Sequence, residues 1–467
     1  MVYTATRTAG IAGFFQSEKR RTATSRLLLM KPHYTLPDLP APDIGTWSQF
    51  SNPEVFEFRG SSGFAHSIGK NMQRRIVKAL QPVAAASVIL FFLLAANAGA
   101  QPATGIRDCD SPRAAASTRP AVSSFQLEND LFAGTDSQYT SGVKFTWTSP
   151  NVADFNDPLL PAWIRCSNER VQRLVDWFHP EKSTSFNMVV TLGQAMYTPA
   201  DRDQTTIDRT DRPYAGWTYL GLGYNARFDP AGKAGTPTLD TVELDIGIVG
   251  RHAYAQQIQN FVHRVRGLDR FQGWDNQLQD ELGVQFVWER KMRPTALTLG
   301  KFAQAGNADA SGGSAEGFAA QFIPHFGVSV GNVASYLNVG GELRAGWRLP
   351  DDFGTSAIRP GGDNAAPRSA ARLERVYHQH SFHLFASFDG RLVANNIFLD
   401  GNTFKTSYAI KKKLLVGDIA YGWAYTWPRL AGLPSGKLAY AHFVRSREFE
   451  GEGRNHGFGS VSVSLEF

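Results

Sequence analysis

The sequence predicts an all-β fold: a transmembrane antiparallel β-barrel of 12 strands, with short helices in its extracellular loops. Three observations predict it. After residue 100 no apolar stretch reaches the roughly 20 residues that a membrane-crossing helix needs. Runs of about ten residues instead alternate apolar and polar positions, the period-two pattern of a wall with lipid on one side. Finally, the chain carries an export leader and ends on an amphipathic strand closed by Phe467. A periplasmic β-sandwich would also alternate, but it has no reason to end in that way.

The leader comes first. Arg74, Arg75 and Lys78 precede an apolar run from Pro82 to Ala98, which closes on Ala98-Gly99-Ala100. This is the basic, apolar and small-residue order of a cleaved signal peptide at 72–100, with translation starting at Met72. Residues 1–71 read as a mis-annotated or disordered extension, 101–119 as a periplasmic N-terminal segment and 120–467 as the barrel. The formal charge of +6 belongs to the presequence. Of 48 Lys/Arg and 42 Asp/Glu, 11 and 5 lie in the first hundred residues, which leaves 37 of each. A neutral mature chain gives no ground for nucleic-acid binding. Cys109 and Cys166 both fall in the exported part, where a disulfide is possible.

Strands are expected near 122–130, 139–148, 187–196, 215–227, 241–250, 281–291, 294–304, 318–331, 335–346, 380–394, 413–427, 436–447 and 460–467. In the second run Val143, Phe145 and Trp147 oppose Gly142, Lys144 and Thr146. In the fifth, Val242, Leu244, Ile246 and Ile248 oppose Glu243, Asp245 and Gly247. In the last, Val461, Val463, Leu465 and Phe467 oppose Ser460, Ser462, Ser464 and Glu466. Bacterial barrels favour even strand numbers, so the expectation is twelve. Between the fifth and sixth runs, Tyr254, Ile258, Phe261, Val262 and Val265 have helical spacing, stopped by Gly267. Gln259, His263 and Arg266 share another face of that helix.

Parity locates the chemistry. With both termini in the periplasm, odd strands rise and even ones descend. Asn129-Asp130, Thr140, the 197–214 loop and the His263 helix then converge on the outer end. Thr140 shares strand parity with lumen-facing Lys144, and Ser141 has the opposite parity.

Six segments in order carry a resemblance: Glu128-Asn129-Asp130, Tyr139-Thr140-Ser141-Gly142, Tyr197-Thr198-Pro199, Asp211-Arg212-Pro213-Tyr214-Ala215-Gly216-Trp217, Gln259-Asn260-Phe261-Val262-His263 and Gly273-Trp274-Asp275-Asn276-Gln277-Leu278. They resemble the outer-membrane lipid A 3′-O-deacylases, the LpxR-type family. That resemblance implies a twelve-stranded barrel whose site lies between wall and outer leaflet. It implies removal of the 3′-linked acyloxyacyl group of lipid A with a divalent cation, Ca2+. It also implies that Asn129 and Asp130 hold or border the metal, that Thr140 sits beside them and that His263 is the base. Asp269 stands where an acidic residue is expected after the helix. The family's loop lysine has no match here, since 197–214 offers only Arg202, Arg209 and Arg212.

The chemistry suits these residue types. Histidine titrates near neutral pH and can take a proton from water. A hard cation on oxygen ligands polarises an ester carbonyl. Gln259, Arg212 and Arg266 are candidates for substrate contact, arginine being suited to lipopolysaccharide phosphates. Plainer readings stand beside these. Asn129-Asp130 can be turn chemistry, Arg212 a structural anchor and the helix arginines a solvated face. The expected partners are lipid A, outer-membrane lipids and the barrel-assembly machinery, in a Gram-negative outer membrane. Two other functions remain open: a barrel phospholipase with a Ser/His pair, and a non-enzymatic pore.

Overall fold

The structure, a computed structural model, describes residues 121–130, 138–152, 185–229, 236–300, 317–355, 380–430 and 432–467. The leader, the segments around it, Cys109 and Cys166 lie outside the described residues. Strands run over Val122–Asn129 (β1), Gln138–Thr148 (β2), Ser185–Thr198 (β3), Ala215–Phe228 (β4), Thr238–Val249 (β5) and Glu281–Met292 (β6). They continue with Thr298–Leu299 (β7), Phe318–Gly331 (β8), Ala334–Trp347 (β9), Ser381–Asn396 (β10), Leu415–Trp427 (β11), Ser435–Arg445 (β12) and His456–Glu466 (β13). Each pairs antiparallel with its neighbour in sequence; β1 also pairs β13, and β6 pairs β8. The result is a closed barrel of 12 strands, with β7 a two-residue stub on β8.

Of the strand expected at 294–304, the described residues 294–300 hold that stub alone, and 301–304 lie outside the described residues. Pro294 has no amide hydrogen for a ladder and opens a 3₁₀ turn at Thr295–Leu297 instead. The other expected strands are present, and alternation reads correctly on the wall. Leu220, Leu282, Leu337, Val339, Leu384 and Ile419 point outward and exposed, while Asp245, Glu289, Arg344, His383 and Asp418 are buried within. Apolar outside and charged inside is the arrangement for a wall in lipid. Closure leaves no strand edge to be satisfied by solvent that is absent there.

The two rims differ. The rim at which β1 begins and β13 ends is stoppered from within by Leu349–Thr355, which follows β9. Asp351 pairs with Arg227 and Arg293 at 2.9 and 2.5 Å, and Phe353 lies under both guanidiniums. Asp352 pairs with Arg344 and Lys437. This part of the 348–378 loop therefore sits at the rim opposite the helix and does not cover it; residues 356–379 lie outside the described residues. Toward the far rim, Arg445 and Arg391 share Asp418, and Arg212 holds Glu448. A cavity of about 150 Å³ lies among Arg391, Asp418, Arg445, Glu448 and the rings of Tyr139, Tyr197 and Tyr219.

Candidate active site

The helix Ala255–Arg266 (α1) lies outside the barrel, on the wall at the far rim. Strand parity establishes this. Trp217 and Tyr219 line the lumen, so Gly216, Thr218 and Leu220 face outward. A side chain at Gly216 would put its Cβ 2.5 Å from the Cβ of Ala255. That missing side chain is what lets the first turn of the helix touch the wall. The carbonyl of Ala253 accepts from Gln194 Nε2 at 2.7 Å and from Thr218 Oγ1 at 2.8 Å, both on outward positions. Met196 joins Tyr214, Ala255, Phe271 and Trp274 in an apolar cluster beneath the helix.

The inward face of α1 is Ala255, Gln259 and His263, at intervals of four. Its apolar residues Tyr254, Ile258, Phe261 and Val265 point away from the protein. In water this would be inside out. Against lipid it is the ordinary arrangement, because the surrounding solvent is itself apolar. Gly267, at φ 68°, reverses the chain after the last turn, and its amide returns to Arg264. The reversal brings the carbonyl of Asp269 to the His263 ring, where Nδ1 lies 2.5 Å away. A carbonyl only accepts, so Nδ1 carries the hydrogen and Nε2 is the basic nitrogen of the neutral ring. Phe271 meets the same ring edge-on at 5.8 Å.

On the wall, Asn129, Ser141, Met196 and Gly216 are successive cross-strand partners on the outward side. At one strand spacing each, Asn129 lies about 10 Å along this row from Met196. Asn129 donates Nδ2 to the Thr140 carbonyl at 3.0 Å, and its neighbour Asp130 is fully buried at the strand end. Thr140 corrects the parity argument. The β2–β3 register breaks between Tyr139 and Ser141, so Thr140 is the extra residue of a β-bulge. Its Oγ1 lies 2.6 Å from Oγ1 of Thr198, an outward position, rather than following Lys144 into the lumen. Ser141 is outward too, and parity no longer sets it aside; its hydroxyl donates to the Glu128 carbonyl.

The remaining candidates separate. Gln259 is buried and accepts from Trp274 Nε1 at 2.7 Å, which leaves its Nε2 without a protein partner. Arg266 is exposed at the end of α1. Arg212 points into the barrel, buried on Glu448 at 2.7 Å and across the Tyr197 ring, away from the helix. The carboxylate of Asp269 does not reach back to His263; it pairs with Arg202 at 3.2 Å. Arg202 comes from the loop where the family's lysine was sought, and Gln272 N binds its carbonyl. No pattern in the sequence joins those two loops. Burial pushes the Tyr214 phenol beneath them up to about 12, so it stays protonated.

Among the described residues no three His, Cys, Asp or Glu converge as a metal cage. Asn129 and Asp130 are adjacent and carry one amide and one carboxylate group, the oxygen donor type that a hard divalent cation takes.

Comparison with known proteins follows the geometry. The family described as outer membrane protein LpxR matches residues 87–467. No curated protein matches. The fold is similar to LpxR from Salmonella typhimurium, with TM-score 0.51 and 16% identity, covering 74% of this chain and 100% of that one. The β-domain of the Bordetella autotransporter BrkA gives TM-score 0.35 at 8% identity, over 74% and 98% of the two chains. With an outer-membrane barrel and a family match over most of its length, the chain belongs to the LpxR family of outer membrane proteins.

Proposed function

We propose that the protein is a lipid A 3′-O-deacylase, hydrolysing the ester of the 3′-linked acyloxyacyl group with His263 as general base. The observation that carries this is a buried histidine on the lipid-side face of the wall, its Nδ1 fixed on a backbone carbonyl. A base placed there meets an ester in the leaflet rather than a solute in the lumen. The far rim then faces outward, and a signal peptide delivers the chain for assembly into the membrane.

His263 takes a proton from water as that water attacks the ester carbonyl, and returns it to the sugar 3′ oxygen as the acyl C–O bond breaks. Thr140 and the Nε2 of Gln259 are hydrogen-bond donors for water or the developing oxyanion, a contribution of about 3–4 kcal/mol per donor where measured. Asn129 and Asp130 would hold Ca2+, which when bound supplies polarisation of the carbonyl. The exposed Arg266, with Arg264 and Arg270, stands where lipid phosphates lie. Arg212, buried on Glu448, is left out of this scheme.

Mass spectrometry of lipid A from cells that express the wild type or His263→Ala is the test. The wild type is expected to remove a 3′ acyloxyacyl group and the variant to leave it. Unchanged lipid A with the wild type folded in the outer membrane and calcium present would sink the reading. A chelator tests the cation separately.

A further inference from the structure

A second polar cavity opens at the far rim, between the start of β2 and the loop before β13. Its volume is about 320 Å³, and Gln138, Glu452, Arg454 and His456 line it. Three of those side chains share one state. Gln138 donates Nε2 to Asp211 at 3.2 Å, Glu452 accepts the Glu448 amide at 2.5 Å, and the His456 ring bonds the backbone of Tyr139. Each is thus anchored by one end. The other ends, Gln138 Oε1, Glu452 Oε1 and His456 Nε2, have no partner, although the three residues are only 8%, 6% and 4% exposed. Buried polar atoms are normally satisfied, so three orphans around one cavity point to a ligand.

All three orphans can accept, so the occupant must donate. A metal ion is disfavoured, because among the described residues no three His, Cys, Asp or Glu gather there to hold one. A neutral polyol meets the demand. The cavity is adjacent to the candidate site: Gln138 is two residues from Thr140, and Ala200, also on its lining, is two from Thr198.

We propose that this cavity binds a hydroxyl-bearing sugar of the glycolipid whose ester lies against the wall below. Gln138, Glu452 and His456 accept from its hydroxyls. The inference rests on the deacylase reading for the identity of that glycolipid.

The test is calorimetric titration of the folded barrel with two acyl-free, phosphate-free probes: the glucosamine disaccharide, and the core oligosaccharide without it. Binding of either supports the proposal and says which sugar enters. Glu452→Gln, Gln138→Leu and His456→Phe should each weaken it about tenfold, the loss of one hydrogen bond. Heat-shifted gel mobility checks that each variant is folded, and any one that folds suffices. No binding by the wild type, or equal binding by the folded variants, overturns the proposal. So does titration of calcium or zinc alone that disappears in Glu452→Gln. Because the titration needs no turnover, a wild type without deacylase activity would remove the earlier reading while leaving this one measurable.

Discussion

His263 receives its orientation from main chain, and this sets an expectation for Asp269. Its carboxylate is exposed and paired only with the half-exposed Arg202, while its carbonyl holds the imidazole. Exposed ion pairs are worth about 0–1 kcal/mol, less than a tenfold effect on a rate. Asp269→Ala should therefore keep more than a tenth of wild-type deacylation, in contrast to His263→Ala; a loss equal to that of His263→Ala would return the role to the carboxylate. At this scale the candidate residues were legible as candidates: Asn129, Asp130, Thr140, Gln259 and His263 stood in three of the six ordered segments. Their directions were less so. Alternation assigned Thr140 to the lumen because a bulge is set by the register between β2 and β3, which no single strand displays. Arg202 was visible as a residue but not as the partner of Asp269, since 67 positions of chain separate them.

Helix α1 was readable from apolar spacing and the stop at Gly267, but the face that turns inward was not. The usual inference buries the apolar stripe; here that stripe meets lipid and the polar stripe meets the wall. Docking depends on Gly216. Gly216→Val should lift the first turn of α1, because even one added carbon lies 2.5 Å from Ala255. The expected outcome is loss of deacylation in a barrel that keeps its heat-shifted mobility. Just before the helix, Asp280 clamps the 3₁₀ turn Arg251–Ala253. It accepts from the amide of His252 at 2.8 Å and meets the His252 ring at 2.6 Å. Burial raises the Asp280 carboxyl, but the His252 hydrogen bonds and the charges of His252 and Lys405 outweigh it and hold it below the usual range. A depressed carboxylate stabilises above its unfolded pKa, about 3.9, and the effect is lost as pH falls through the folded value. Hydrogen exchange at the His252 amide, corrected for intrinsic rates, should stay slow at neutral pH and quicken below about pH 4. Constant protection across that range would refute the clamp.

For the whole molecule, the closed antiparallel wall followed from alternation and turn residues, and its twelve strands from the preference for an even number, whereas the contents of the barrel did not follow. The Asp351–Phe353 stopper lies in a segment rich in Pro, Gly and Asp, which reads as an ordinary surface loop. Its partners Arg227, Arg293, Arg344 and Lys437 come from four separate stretches of chain. Among the described residues the lumen is crossed by these pairs and by Arg391–Asp418–Arg445, which obstruct a path for ions. Planar bilayers containing the protein should show no stable conductance, and steady porin-like openings would restore the pore reading. The outward apolar side of α1 has a different consequence. The face around His263 is bounded on one side by protein and on the other by whatever liquid surrounds the molecule, so under the proposed function the bilayer is part of the site as well as the source of its substrate. A barrel carried into a small, highly curved micelle would hold every residue named above and still lack a wall.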